Sequence, residues 1–350
     1  MLAWRAPAWL PGGHAQTIWP ARVSRPAPGA APAWRRERWT LPDGDFVDAD
    51  LLPPPARGAT AAAPAPAPAR WIVLLHGLEG GSSGHYALAF AHVAQRAGLG
   101  LVVPHFRGCS GEPNREPRTY HSGDFEQVGF FLDRLHRHPA LAGGGPPFVC
   151  GISLGGNALM RWAQEQGEAA AARAASVVSV SSPLDLAAAG AAIDRGLNRQ
   201  FYARMFLATM RPKALAKLER HADWFAAARP RARWPERAFD AGRIRRATTM
   251  RDFDDAFTAP LFGFHDVEDY WARASAGPHL HRVRIPALAI NARNDPFVPA
   301  ASLPRPGEVG RCVALWQPRD GGHVGFPGGR FPGHALALPE LVVGWWRQLG

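Results

Sequence analysis

The stretch Gly151-Ile152-Ser153-Leu154-Gly155 sets a serine between two glycines, directly after the apolar run Phe148-Val149-Cys150. G-x-S-x-G is the pattern of a nucleophile on a forced turn. A hydroxyl raised on a sharp strand-to-helix turn needs small residues two positions before and after it, because side chains there would collide. The following helix also points its N-terminal dipole at the serine and favours negative charge there. The bland alternative is a Gly/Ser turn joining a strand to a helix. In a chain with 37 glycines the five-residue match alone does not exclude it.

Partner residues decide between the two. A serine hydroxyl attacks well only when a base takes its proton and an acid orients that base. For a nucleophile on a strand–turn–helix the chain order is serine, then Asp or Glu, then His. Asp295 lies in NARNDPFVP, past a strand-like run and held by Pro296 and Pro299. His323 lies in RDGGHVGF, and of fourteen histidines it alone is both late in the chain and just beyond a predicted strand. The rival acids are Asp254, Asp255, Asp266 and Asp320. Charge developing on an attacked oxygen needs two N–H donors. One is expected from Leu154, directly after the serine. The other is expected from Leu78 in HGLEGGSSGHY, with His76 bracing that loop rather than performing chemistry. The Gly80–Gly84 run lacks the Gly-Lys-Ser/Thr ending of a phosphate loop. With no H-E-x-x-H and no spaced Cys/His cluster, neither a cofactor nor a metal is expected.

The elements that must position these residues are legible as a rhythm. RERWTLPDGDFVDADLL reads as two short strands around an Asp-Gly turn. From Trp71, buried-strand runs (WIVLLHG, LGLVVPHFRG, PFVCGIS, ASVVSVSSP) alternate with helical spacing. That predicts an α/β class with a mostly parallel sheet and helices on both faces. The rhythm stops near Asp185, becomes helical and aromatic to about Ala276, and resumes at IPALAINARNDPFVP and CVALWQPRDGGHVGF before a closing helix. His76, Arg107, Ser153, Asp295 and His323 each follow a strand, so all five should share one rim of the sheet.

With 350 residues, 47% hydrophobic and 20% charged, the chain is long enough for a sizeable core. The formal charge of +11 invites a nucleic-acid partner. None is expected, because the excess is spread along the chain without a basic block or a binding motif. A weak pull toward anionic lipid or acidic substrates stays open, with peripheral membrane contact at most. Cys109, Cys150 and Cys312 have no paired spacing, which fits small apolar roles in a reducing cytoplasm. The N-terminus lacks signal-peptide features, and no uncharged apolar run reaches 18 residues, so the expected state is soluble and cytoplasmic.

With these residues in place the chain resembles an α/β-hydrolase, in particular the YheT-like branch, the AB hydrolase 4 family. The likeness runs through GGHAQTIWP, HGLEGGSSGHY, FRGCSGEPNREPRTYHSGD, GISLGGNALMRW, DDAFTAPLFGFHDVEDYW, NARNDPFVP and GGHVGF. It implies that the charge-relay roles fall on Ser153, Asp295 and His323. It also implies hydrolysis of a small-molecule ester or lipid substrate with short or medium acyl chains. Acyl transfer to an alcohol by the same residues is the alternative, and a non-catalytic binding protein on this scaffold is a further one. The expected organisation is a core of residues 1–184 and 277–350, with a Pro/Ala loop at 53–69 and a helical cap at 185–276. In LNRQFYARMFLATM, helical spacing puts Phe201, Met205 and Ala208 on one face, with Tyr202 and Phe206 beside them. Packing of the cap onto the sheet is the expected use of these residues, and an apolar acyl pocket the alternative. The residues of RDFDDAFTAPLFGF alone give no physical reason for that segment.

Overall fold

Strands covered on both faces favour apolar side chains throughout; five such buried runs and a sixth, half-exposed edge strand line up in parallel. In a computed structural model describing residues 3–25, 31–55, 69–228 and 238–349, they are β3 (Trp71–Leu75), β4 (Gly100–Pro104), β5 (Phe148–Ile152), β6 (Ser176–Val180), β7 (Ala287–Ile290) and β8 (Val313–Trp316). The Asp-Gly hairpin adds β1 (Arg35–Thr40) and β2 (Phe46–Leu52), with Thr40 opposite Phe46 and Gly44 at a φ of 84°. The sheet order is β1-β2-β4-β3-β5-β6-β7-β8, and β2 is antiparallel to both neighbours. Strand order therefore reverses between β3 and β5. The crevice of such a sheet opens at that point, beyond the strands' carboxyl ends.

Side chains alternate across the sheet. Val73, Leu75 and Val149 pack toward α3 (Phe125–His136) and α4 (Leu154–Gln166), whose Phe131 and Trp162 fill that core. Ile72, Leu74 and Cys150 face the other way, into a core with Phe90 of α2 (His85–Arg96) and Trp346 near the chain's end. One helix was not foreseen: α1 (Gly13–Arg22) has no side-chain cap and carries Pro20 inside it. No helix among the described residues is long and apolar enough to cross a membrane. Most of the expected Pro/Ala loop, residues 56–68, lies outside the described residues.

Between β6 and β7 the described residues form helices and no strand, among them α5 (Leu186–Ile193), α6 (Arg204–Arg220) and α7 (Val267–Ala274). They have a core of their own, including Leu207, Phe225, Ile244 and Phe257. The ends of the excursion meet, since Gly277 N–H donates to Leu184 O at 2.7 Å. Asn157 on α4 fastens the return, donating to Ala274 O (2.8 Å) and accepting from Ala276 N–H (3.0 Å). RDFDDAFTAPLFGF now has a physical account. Asp252 and Thr249 cap each other, Asp255 pairs with Arg243 at 2.7 Å, and buried Asp254 accepts from Trp271 Nε1 at 3.0 Å. The segment is a polar joint inside the helical layer.

The expectation for the start of α6 holds in part: Tyr202 and Phe206 pack against Phe297 as expected, but the face of Phe201, Met205 and Ala208 does not. Phe201 is 66% exposed, and Met205 and Ala208 also face solvent, so they neither pack on the sheet nor line a pocket. Leu207, which the spacing did not single out, is buried. The turn Arg199–Ala203 just before α6 is a π-helix. The 3.6-residue phase itself holds, since Ala203, Leu207, Ala214 and Lys217 are buried along the opposite face.

Candidate active site

Ser153 closes β5 and opens α4 with φ 51° and ψ −118°, a conformation that costs about 1–3 kcal/mol for a residue with a side chain. Its surroundings impose it. A Cβ on Gly151 would stand 2.5 Å from Gly155 O, and one on Gly155 would stand 2.5 Å from His76 O. The glycines are there because α4 starts against the ends of β3 and β5. The Ser153 N–H donates to Val180 O at 2.8 Å, fixing the turn to β6.

His323 Nε2 lies 3.0 Å from Ser153 Oγ, and its Nδ1 lies 2.9 Å from Asp295 Oδ2. An ionised carboxylate only accepts, so Nδ1 carries the proton and Nε2 is left to accept from the serine hydroxyl. Asp295 is locked by its other oxygen, which accepts from Phe297 N–H (2.7 Å) and Val298 N–H (3.2 Å). Its side chain is fully buried, while that of His323 stays 11% exposed. The rival acids are engaged elsewhere: Asp320 accepts from Asn294 at 3.1 Å, Asp266 caps α7, and Asp254 and Asp255 serve the joint.

Of the five rim residues, three come together and two brace. His76 is buried, donating from Nδ1 to Gly77 O (2.7 Å) and accepting at Nε2 from Phe106 N–H (3.1 Å). Burial, with His105 nearby, pushes its pKa down to about 3, so it stays neutral. Arg107 is clamped between Asp45 (2.6 Å) and Asp43 (2.7 Å). In the loop after β3, Gly77 N–H donates to Tyr86 Oη (3.2 Å) and Glu79 N–H to Tyr120 Oη (2.8 Å). The Leu78 N–H stands between these two engaged groups. Leu154 N–H is at the first position of α4, where helices leave N–H groups unpaired.

Sequence reasoning missed the part α1 plays. Gln16 Oε1 accepts from Gly321 N–H (2.8 Å) and Asn294 Nδ2 (2.9 Å), and Thr17 Oγ1 accepts from His323 N–H (2.9 Å). One buried glutamine thus ties the acid loop to the histidine loop. The glycines before His323 let the helix approach: a Cβ on Gly322 would lie 2.8 Å from Gly13 O. Beyond them an aromatic file leads outward. Phe297 stands 4.3 Å from the His323 ring, Tyr202 4.5 Å from Phe297, and His14 stacks on Tyr202. The available signal was GGHAQTIWP, a polar stretch with no apolar periodicity to account for it.

A serine on a strained strand–helix turn, at the switch point of this sheet, is the architecture of the α/β hydrolases. A family model described as the alpha/beta hydrolase fold matches residues 70–329. The chain belongs to that family. Within it, the chain is 36% identical over 332 residues to "Putative esterase YheT" of Escherichia coli (strain K12), covering 95% of this chain and 89% of that protein. The YheT-like resemblance of the motifs is thereby shown. It is 30% identical over 262 residues to "Phospholipase ABHD3" of Mus musculus, covering 75% of this chain but 59% of that longer protein. Among solved structures, Est1E from Butyrivibrio proteoclasticus superposes with a TM-score of 0.51 at 12% identity, over 90% of this chain and 98% of that one. That likeness speaks for the fold alone.

Proposed function

We propose that the chain is a serine hydrolase of carboxylic esters, acting through Ser153, His323 and Asp295. The observation that carries this is the His323 ring, within hydrogen-bond reach of the serine on one side and the carboxylate on the other. The relatives' printed names, an esterase and a phospholipase, support an ester or lipid substrate.

Ser153 Oγ attacks the ester carbonyl while His323 Nε2 takes its proton. Leu154 and Leu78 N–H groups receive the developing oxyanion. The alcohol leaves with the proton from His323, and water, activated by the same nitrogen, releases the acid from the acyl-enzyme. Asp295 keeps the ring oriented and stabilises its charged form. The helices of 185–276 act as a cap over the serine. Three free cysteines fit a cytoplasmic setting.

A series of p-nitrophenyl esters from acetate to palmitate tests this on purified protein. Turnover lost in Ser153→Ala is expected; equal turnover in the variant would overturn it. With added alcohol, free acid should exceed new ester. The reverse would replace hydrolysis by acyl transfer.

A further inference from the structure

A cavity of about 560 Å³ lies between α6 and the loops that follow β3 and β4. That is an ordinary size for a small-molecule site. Leu78 forms part of its wall. The neighbouring Gly77 is close to the serine, since a Cβ there would touch Ser153 Cβ at 3.3 Å. The Leu78 wall of the cavity is therefore one residue along the chain from the backbone packed against Ser153.

The charge on the wall is lopsided. Arg107, Lys213, Lys217 and Arg220 line it, against the single carboxylate Glu79. Arg107 is committed to Asp43 and Asp45, and Lys213 to Glu79 at 2.7 Å. Lys217 differs. It is 8% exposed, and its Nζ donates to two backbone carbonyls, Glu116 O at 2.6 Å and Asn114 O at 3.4 Å. Among the described residues no carboxylate pairs with it. An ammonium has three donors, so one remains. Burial lowers the Lys217 pKa to about 8, although the charges of Asp45 and Glu116 favour the ammonium.

Composition adds an independent observation. Of forty Lys and Arg residues only two are lysine, and both stand one turn apart on α6, lining this cavity. A compact, rotatable ammonium is used where the other basic positions carry a planar guanidinium.

We infer that the cavity is an anion subsite, holding a carboxylate or phosphate group of the ester substrate on Lys217 and Arg220 while its carbonyl lies at Ser153. This rests on the hydrolase reading above. The anion takes the third Nζ donor, which no side chain of the described residues fills. The competing view is that the lysines only strap the cap to the core.

Matched ester pairs on the full-length protein separate these views. Mono-4-nitrophenyl glutarate against 4-nitrophenyl pentanoate tests a carboxylate on the acyl side. 1-Butanoylglycerol 3-phosphate against 1-butanoylglycerol tests a phosphate on the alcohol side. In at least one pair the anionic member should have a kcat/KM tenfold or more above its neutral twin. In Lys217→Gln that ratio should fall about tenfold, and Lys217→Arg should restore part of it. Arg220→Gln, at an exposed position, gives a second reading should the buried variant fail to fold. No anionic preference in either pair, or an unchanged ratio in the variants, overturns the subsite and leaves the hydrolase reading standing. No turnover of any of the four esters by the folded protein sinks both.

Discussion

At the rim of the sheet, Ser153, Asp295 and His323 arrive on three separate loops, and backbone hydrogen bonds hold each one. In the helical layer between β6 and β7, a residue's surroundings depend on which way its helix is turned. The rim positions follow from counting past the end of a strand, and each predicted rim residue lies beyond its strand as expected. At the start of α6 and in the turn before it, Phe201, Met205 and Ala208 share one face as their spacing requires, but that face meets solvent and the one carrying Tyr202, Ala203 and Leu207 is buried. Placement at a strand end tolerates local irregularity. A helix's spacing gives which residues share a face, not which face meets the core.

The largest effect that would break this contrast is at the acid. Asp295→Asn should keep the fold and lower kcat on the order of ten-thousand-fold, because the amide presents the wrong partner to Nδ1. Asp320→Asn should stay within about threefold of the parent. A large loss in the second variant and a small one in the first would move the acid to another loop. Next comes α1. Thr17→Val removes the acceptor for His323 N–H. It should lower kcat roughly ten- to a hundredfold with little change in KM, since small misplacement of a catalytic group is costly. Equal effects on both parameters would mean that α1 shapes binding rather than the histidine loop.

The helical layer gives smaller effects. Burial, with Asp194 and Asp255 adding to it, raises the Asp254 pKa to about 7 against hydrogen bonds from Thr258 and Trp271. The folded state then binds more protons than the unfolded one between about pH 4 and 7, so stability falls as pH rises through that window. Asp254→Asn should remove this loss, shrinking the difference in Tm between pH 5 and pH 8 by about 2 °C or more. An unchanged difference would mean that Asp254 is not the group responsible. Smallest is Phe201→Ser, which should shift unfolding free energy by no more than about 0.5 kcal/mol, as an exposed position does. A loss above about 2 kcal/mol in a denaturant titration would put Phe201 back in a packed interface.

The parts of this molecule legible in the sequence are those where one physical requirement dominates. Unbroken apolar runs such as WIVLL admit one reading, a strand buried on both faces, and β3 is that strand. Gly151 and Gly155 mark a turn where no Cβ fits. The function of α1 was illegible because Gln16 and Thr17 act on Gly321 and His323, some 300 residues away, through polar contacts that leave no periodicity. The same holds for the joint at Asp254, whose partner Trp271 belongs to another helix. His76 braces its loop through two backbone hydrogen bonds, a role that its place just after a strand suggests.

Intact-mass measurement after treatment with a fluorophosphonate tests the serine's activation most directly. The parent protein should gain one phosphonyl group, located on Ser153 by peptide mapping, and His323→Ala should gain it far more slowly. A folded parent protein that stays unmodified, or one modified at another serine, would contradict the account.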